Sequence, residues 1–167
     1  WQEIAGPFGV TDSDGPVLHT LDGTAAFAAY KQTVDEHAST ELTRDNFFEV
    51  AKGYPFGIAQ AGDEQIVRDP FEVTAEDGLN CFGNIPEGEF VHILEGQPEL
   101  LISAAENAKE QTNVDEADSE ALLFFDCISR VLYLEEQFEQ ELASVQVDNT
   151  PTIGALTIGE IANDGSG

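Results

Sequence analysis

A continuous apolar run, Ala121 to Phe125 (ALLFF), ends in Asp126-Cys127-Ile128-Ser129-Arg130 and passes straight into the helical pattern VLYLEEQFEQEL. Apolar on both alternate faces, the run predicts a buried central strand. The turn after it sets a thiol and a guanidinium where a strand ends and a helix begins. Helix N-terminal N–H groups point into such a junction, which makes it a common ligand position in sheets with helices packed on them. Arg130 is one of only three arginines, with Arg44 and Arg68. So scarce a residue, in that position, is a candidate for holding a carboxylate bidentately. The competing reading is an internal ion pair with Asp126, Glu160 or another of the many acids.

The rest of the chain alternates strand-like and helix-like segments. Residues 1–15, rich in Gly, Pro and Asp, read as a linker or irregular lead-in. PVLHTL predicts a short strand, and Thr24 the N-cap of a helix in which Phe27, Tyr30 and Val34 share a face. A second short helix is expected from Thr43 to Gly53. PFGIAQA, EQIVRDP, LNCFGNI and EFVHILEG predict four strands, separated by the turns Ala61-Gly62-Asp63, Glu76-Asp77-Gly78 and Pro86-Glu87-Gly88. Pro98 starts a helix with Leu101, Ala104, Ala105 and Ala108 inward. After an acidic loop and the apolar strand, Val131, Leu134, Phe138, Leu142 and Val145 recur at helical spacing, and TIGALTIGEI returns as a last strand. The expected fold is α+β: a mostly antiparallel sheet with about four helices packed against it, like that of small-molecule sensory domains. It is expected to form one domain over residues 16–163, with a flexible tail at 164–167.

Charge narrows the partners. The 167 residues include 33 acids and 6 bases, a formal net charge of −27. Phosphate contacts need clustered Lys and Arg, so nucleic acid is excluded, and anionic membranes repel such a chain. No apolar run approaches the ~20 residues of a membrane span, and no membrane insertion is expected. The acids are spread along the chain rather than gathered in a patch or tail, which reads as a solvated surface suited to molar salt and a halophilic archaeon as the source. At ~1 M salt the Debye length is about 3 Å, so self-repulsion is largely screened. The thermal unfolding midpoint, followed by circular dichroism, is therefore expected to rise between low and molar KCl; a level midpoint would remove the halophile reading. Two cysteines, Cys81 and Cys127, make no disulfide framework and suit free thiols in the cytoplasm. No C-x-x-C or H-x-x-x-H spacing supports zinc, and no cofactor is expected.

Several motifs carry a family resemblance. Phe125, Cys127 and Arg130 form F-x-C-x-x-R between strand and helix, and Gly154, Thr157, Gly159, Glu160 and Ile161 form G-x-x-T-x-G-E-I. Both resemble the C-terminal half of FIST proteins. Leu21-Asp22-Gly23 with Ala26 and Tyr30 resembles that family's L-D-G-x-x-A-x-x-x-Y. Val67-Arg68-Asp69-Pro70 resembles its V-R-D-P, and Glu76-Asp77-Gly78 the acidic-Gly turn that follows. The pieces run in order from about Trp1 to Asn163. The resemblance implies an intracellular sensory module that binds a small metabolite such as an amino acid. It also implies two partners: an N-terminal FIST half ahead of these residues, and a signalling output module such as a histidine kinase, diguanylate cyclase or chemotaxis domain.

The candidate ligand residues are Arg130, Cys127, Glu160, Gly159 and Arg68. Arg130 would take a ligand carboxylate. Glu160, singled out by the resemblance through G-E-I, would take an ammonium, with Gly159 allowing close backbone approach. The pair suits a zwitterion. Cys127 reads as pocket lining or inert core, and Arg68 as a structural ion pair that joins the site if its strand end faces the Arg130 junction. No catalysis is expected. Two alternatives stand beside this reading. One is a thiol hydrolase or transferase with Cys127 as nucleophile and His92 as its base. The other is an acidic scaffold for a basic protein.

Overall fold

Residues 2–14 form a strand rather than a lead-in. β1 (Gln2–Asp14) lies inside an antiparallel sheet, paired with β2 (Val17–Leu21) through its C-terminal part and with β8 (Phe90–Glu95) along the rest. A regular interior strand rejects proline; here the register against β8 slips between Ala5 and Phe8, and that irregularity absorbs Gly6 and Pro7. The computed structural model describes residues 1–59, 65–112 and 120–158. The turn Ala61-Gly62-Asp63, most of the acidic loop and the expected tail lie outside the described residues. The chain divides into two compact units, Trp1–Gly96 and Gln97–Gly167.

The first unit adds β3 (Thr24–Ala25), α1 (Ala26–Asp35), α2 (Phe47–Ala51), β4 (Phe56–Ala59), β5 (Gln65–Arg68), β6 (Pro70–Val73) and β7 (Leu79–Cys81). The sheet order is β5-β4-β8-β1-β2-β7-β6, with β3 beside β2 and every pairing antiparallel. EQIVRDP reads as one strand, but Asp69 divides it and Pro70 starts the next. The two resulting strands stand at opposite ends of the sheet order, one residue apart in the chain. The sheet must therefore curl until its ends meet, as in a barrel. Arg68 pins this seam. Its Nε donates to Asn84 O at 3.1 Å and its Nη1 to Val67 O at 2.9 Å. The guanidinium lies on Gly83 (φ +94°), where a Cβ would stand 2.9 Å from Nε.

Inside the curl, Tyr30 packs against Phe47 and Phe56 with ring centroids 5.8 and 5.3 Å away, and its hydroxyl donates to Tyr54 O at 2.6 Å. Thr24 does not cap α1. It pairs with Leu21 in β3, and Phe27 N, in the first turn, donates instead to Asp77 O at 3.0 Å.

The second unit holds α3 (Pro98–Gln111), β9 (Leu122–Cys127), α4 (Ile128–Leu134), a 3₁₀ turn (Glu135–Gln137), α5 (Phe138–Val145) and β10 (Thr152–Thr157). Pro98 occupies the first turn of α3, as its missing N–H favours. The helix expected after β9 is broken: Glu135 takes φ 51°, a left-handed conformation that ends α4. β9 and β10 pair in parallel from Leu122↔Thr152 to Cys127↔Thr157. Parallel neighbours need a crossover, which α4 and α5 supply. The apolar run is thus a strand, but one in a two-stranded sheet and buried on one face only. Leu123 and Phe125 are 68 % and 61 % exposed, whereas Leu122, Phe124 and Asp126 point to the covered side. No helix among the described residues is long and apolar enough to cross a membrane.

Candidate functional site

A cleft of about 310 Å³ opens in the second unit. Ala104, Ala105 and Ala108 of α3 form one wall. Their small side chains do not pack into a core as the helical pattern predicts; they leave room. Leu122 to Asp126 of β9 form another wall, and Arg130, Glu141 and Val145 complete the lining with Lys109 and Thr112 near the end of α3.

Beneath it lies a buried ion cluster. Arg130 Nε faces Asp126 Oδ1 at 3.2 Å, one helical turn back at the strand end. Arg130 Nη2 donates to Glu141 Oε1 on α5 and, at 2.8 Å, to Leu101 O on α3. Asp126 Oδ1 also accepts from Cys127 N at 2.9 Å. One guanidinium on α4 therefore ties together β9, α3 and α5. The Glu141 side chain is 0 % exposed, and its Oε2 has no hydrogen-bond partner among the described residues. Burial pushes its carboxyl above the usual range; the Arg130 hydrogen bond and charge pull the other way, and the Asp126 charge adds to the rise.

The residues singled out in the sequence fare differently. Arg130 lies on the cleft and in the ion cluster, so the internal ion pair weighed against a ligand role is present. Cys127 ends β9 half-exposed at the N-cap position of α4 and is not among the described lining residues. Gly159 and Glu160 lie outside the described residues. Arg68 belongs to the first unit, where it holds the sheet seam. His92 is also there, its Nδ1 2.8 Å from Glu3 Oε1. No histidine occurs in residues 97–167, so Cys127 has no imidazole base within its own unit. Among the described residues no cluster of His, Cys, Asp and Glu could hold a metal ion. The two thiols also differ: burial, with Asp69 adding, pushes Cys81 up to about 12. A maleimide probe at mild pH, read by peptide mass, is expected to modify Cys127 well before Cys81, which reacts only on unfolding. Equal rates would contradict the buried setting of Cys81.

Glu141 escapes a reading based on motifs, being one of 33 acids. The signal is its spacing. With Phe138 and Val145 it falls at i, i+3 and i+7 on one face of α5, and a charged residue on an apolar stripe is the unusual observation.

A mixed α+β chain with a cleft of this size falls in the class of small domains that carry a ligand-sized hollow beside their core. The chain belongs to the FIST C domain family, whose model matches residues 26–163. That family is a sensory-type domain of signal transduction proteins. No curated protein and no solved structure matches the chain.

Proposed function

We propose that this chain is the small-ligand-binding sensory domain of a cytoplasmic signal transduction protein, and that its ligand enters the cleft of the second unit. The cleft carries the proposal. About 310 Å³ of room over apolar walls and a charged floor suits a metabolite the size of an amino acid. Arg130 stands on that floor; Gly159 and Glu160 remain candidates to complete it, and Cys127 a candidate to border it. The reading requires no chemistry on the ligand, and the lack of any histidine in residues 97–167 favours it over a thiol enzyme. Partners would be an N-terminal FIST half and an output module, biased by the difference in ligand affinity between two states. The charge of −27 supports a source rich in salt.

The test is a thermal-shift screen in molar KCl against amino acids, small carboxylates and small amines, run on the parent chain and on Ala105→Trp, which fills the cleft. The expected result is a shift from one compound class that the tryptophan abolishes. A shift that survives the substitution would put the ligand elsewhere, and no shift from any class would overturn the reading.

A further inference from the structure

We propose that the cleft selects a protonated amine: a small ligand with an ammonium head on an apolar body, its N–H groups donated to Glu141 Oε2. The inference rests on the reading of the cleft as the ligand site and names the chemical class it takes.

Three observations converge on it. First, Glu141 is fully buried, lines the cleft, and has one carboxylate oxygen taken by Arg130 and the other without a hydrogen-bond partner among the described residues. A buried acceptor left open carries a desolvation penalty that a donor entering the cleft would remove. Secondly, among the described residues the ion cluster holds more carboxylate than guanidinium. Asp126 and Glu141 bring two carboxylates to the single guanidinium of Arg130. An ammonium neutralises that excess, whereas a carboxylate would place a third anion on the same cation. Thirdly, each cation of the lining already has a protein partner among the described residues. Arg130 Nη2 donates to both Glu141 and Leu101 O, and Lys109 Nζ donates to Gln146 O at 2.7 Å; Arg130 Nε is 3.2 Å from Asp126 Oδ1 in an ion pair but makes no hydrogen bond among the described residues. Around the body of the ligand the lining is mainly apolar, from the alanines of α3 and the Leu and Phe side chains of β9.

Isobutylammonium, isobutyrate and isobutanol match one another in shape and differ in the head group. Each is titrated into the full chain in molar KCl at constant ionic strength, with the backbone amides of Ala104, Ala105 and Phe124 followed by NMR. Isobutylammonium is expected to shift these amides saturably, with isobutyrate and isobutanol at least about tenfold weaker. Glu141→Gln keeps the shape and an acceptor for Arg130 but removes the charge, and should weaken isobutylammonium by about tenfold or more. Isobutyrate or isobutanol binding as tightly as the amine, or undiminished amine binding by Glu141→Gln, would overturn the amine assignment and leave the cleft a ligand site. Failure of all three probes to move these amides would overturn both. Should Glu141→Gln fail to fold, the ranking of the probes on the parent chain still decides.

Discussion

Arg130→Met is expected to destabilise the chain by about 3–5 kcal/mol, read as a lower urea midpoint in molar KCl. The substitution preserves most of the volume but strips the guanidinium from between Asp126 and Glu141, both at least nine-tenths buried. It also frees Leu101 O, so α3 loses its tie to the cluster. The double substitution Arg130→Met/Glu141→Leu should recover a large part of the loss, because it removes the stranded charge as well. If the double variant is as unstable as the sum of the two single ones, the cluster does not act as a unit. A pH dependence follows. Burial holds the folded Glu141 carboxyl above its ordinary 4.5, so the folded state takes up this proton first on acidification. The cost of burying the charge is present in full above the folded pKa and is relieved as pH falls through it toward 4.5. The deficit of Arg130→Met relative to the parent should therefore shrink on acidification at pH values above that window, since without the guanidinium Glu141 takes up its proton at a still higher pH than in the parent.

Tyr30→Ala should cost a similar amount, about 3–5 kcal/mol, in the first unit. Tyr30 is fully buried between Phe47 and Phe56, and the sheet curled around them leaves little freedom to collapse into the space. Tyr30→Phe separates packing from hydrogen bonding. It keeps the ring and loses only the bond to Tyr54 O, so about 1 kcal/mol is expected. Trp1, the single tryptophan, belongs to this unit and reports its unfolding by fluorescence. Equal losses for the two variants would mean that the hydroxyl, not the ring, holds the centre of the unit.

Which parts of this were legible in the sequence depends on whether the signal was local. Pro98 at the start of α3 and the strand character of Leu122 to Cys127 rest on short-range chemistry and are present as expected. The burial of that strand was not legible. Alternation shows that both faces are apolar, and only the tertiary structure shows that Leu123 and Phe125 lie on an open one. β1 was hidden because Gly6, Pro7 and Gly9 signal irregularity, and nothing local tells that an irregularity in register will accommodate two of them inside a sheet. The left-handed Glu135 leaves no trace, since Leu134 and Phe138 keep helical spacing across the break. At the site, Arg130 was visible through its scarcity. Its partner Glu141 was masked by the abundance of acid, although its place on the apolar stripe of α5 carried the information.

The parallel pairing of β9 with β10 also sets a timetable for synthesis. All the strands of the first unit have been translated once Glu95 is made, so its sheet can close early. β9 is different: its strand partner is residues 152–157, which emerge only after α4 and α5 have been translated. Until then Leu123 and Phe125 ride on an unpaired edge, the kind of segment that recruits neighbouring chains. A ribosome that pauses between Val145 and Thr152 would hold the nascent chain in its most adhesive form.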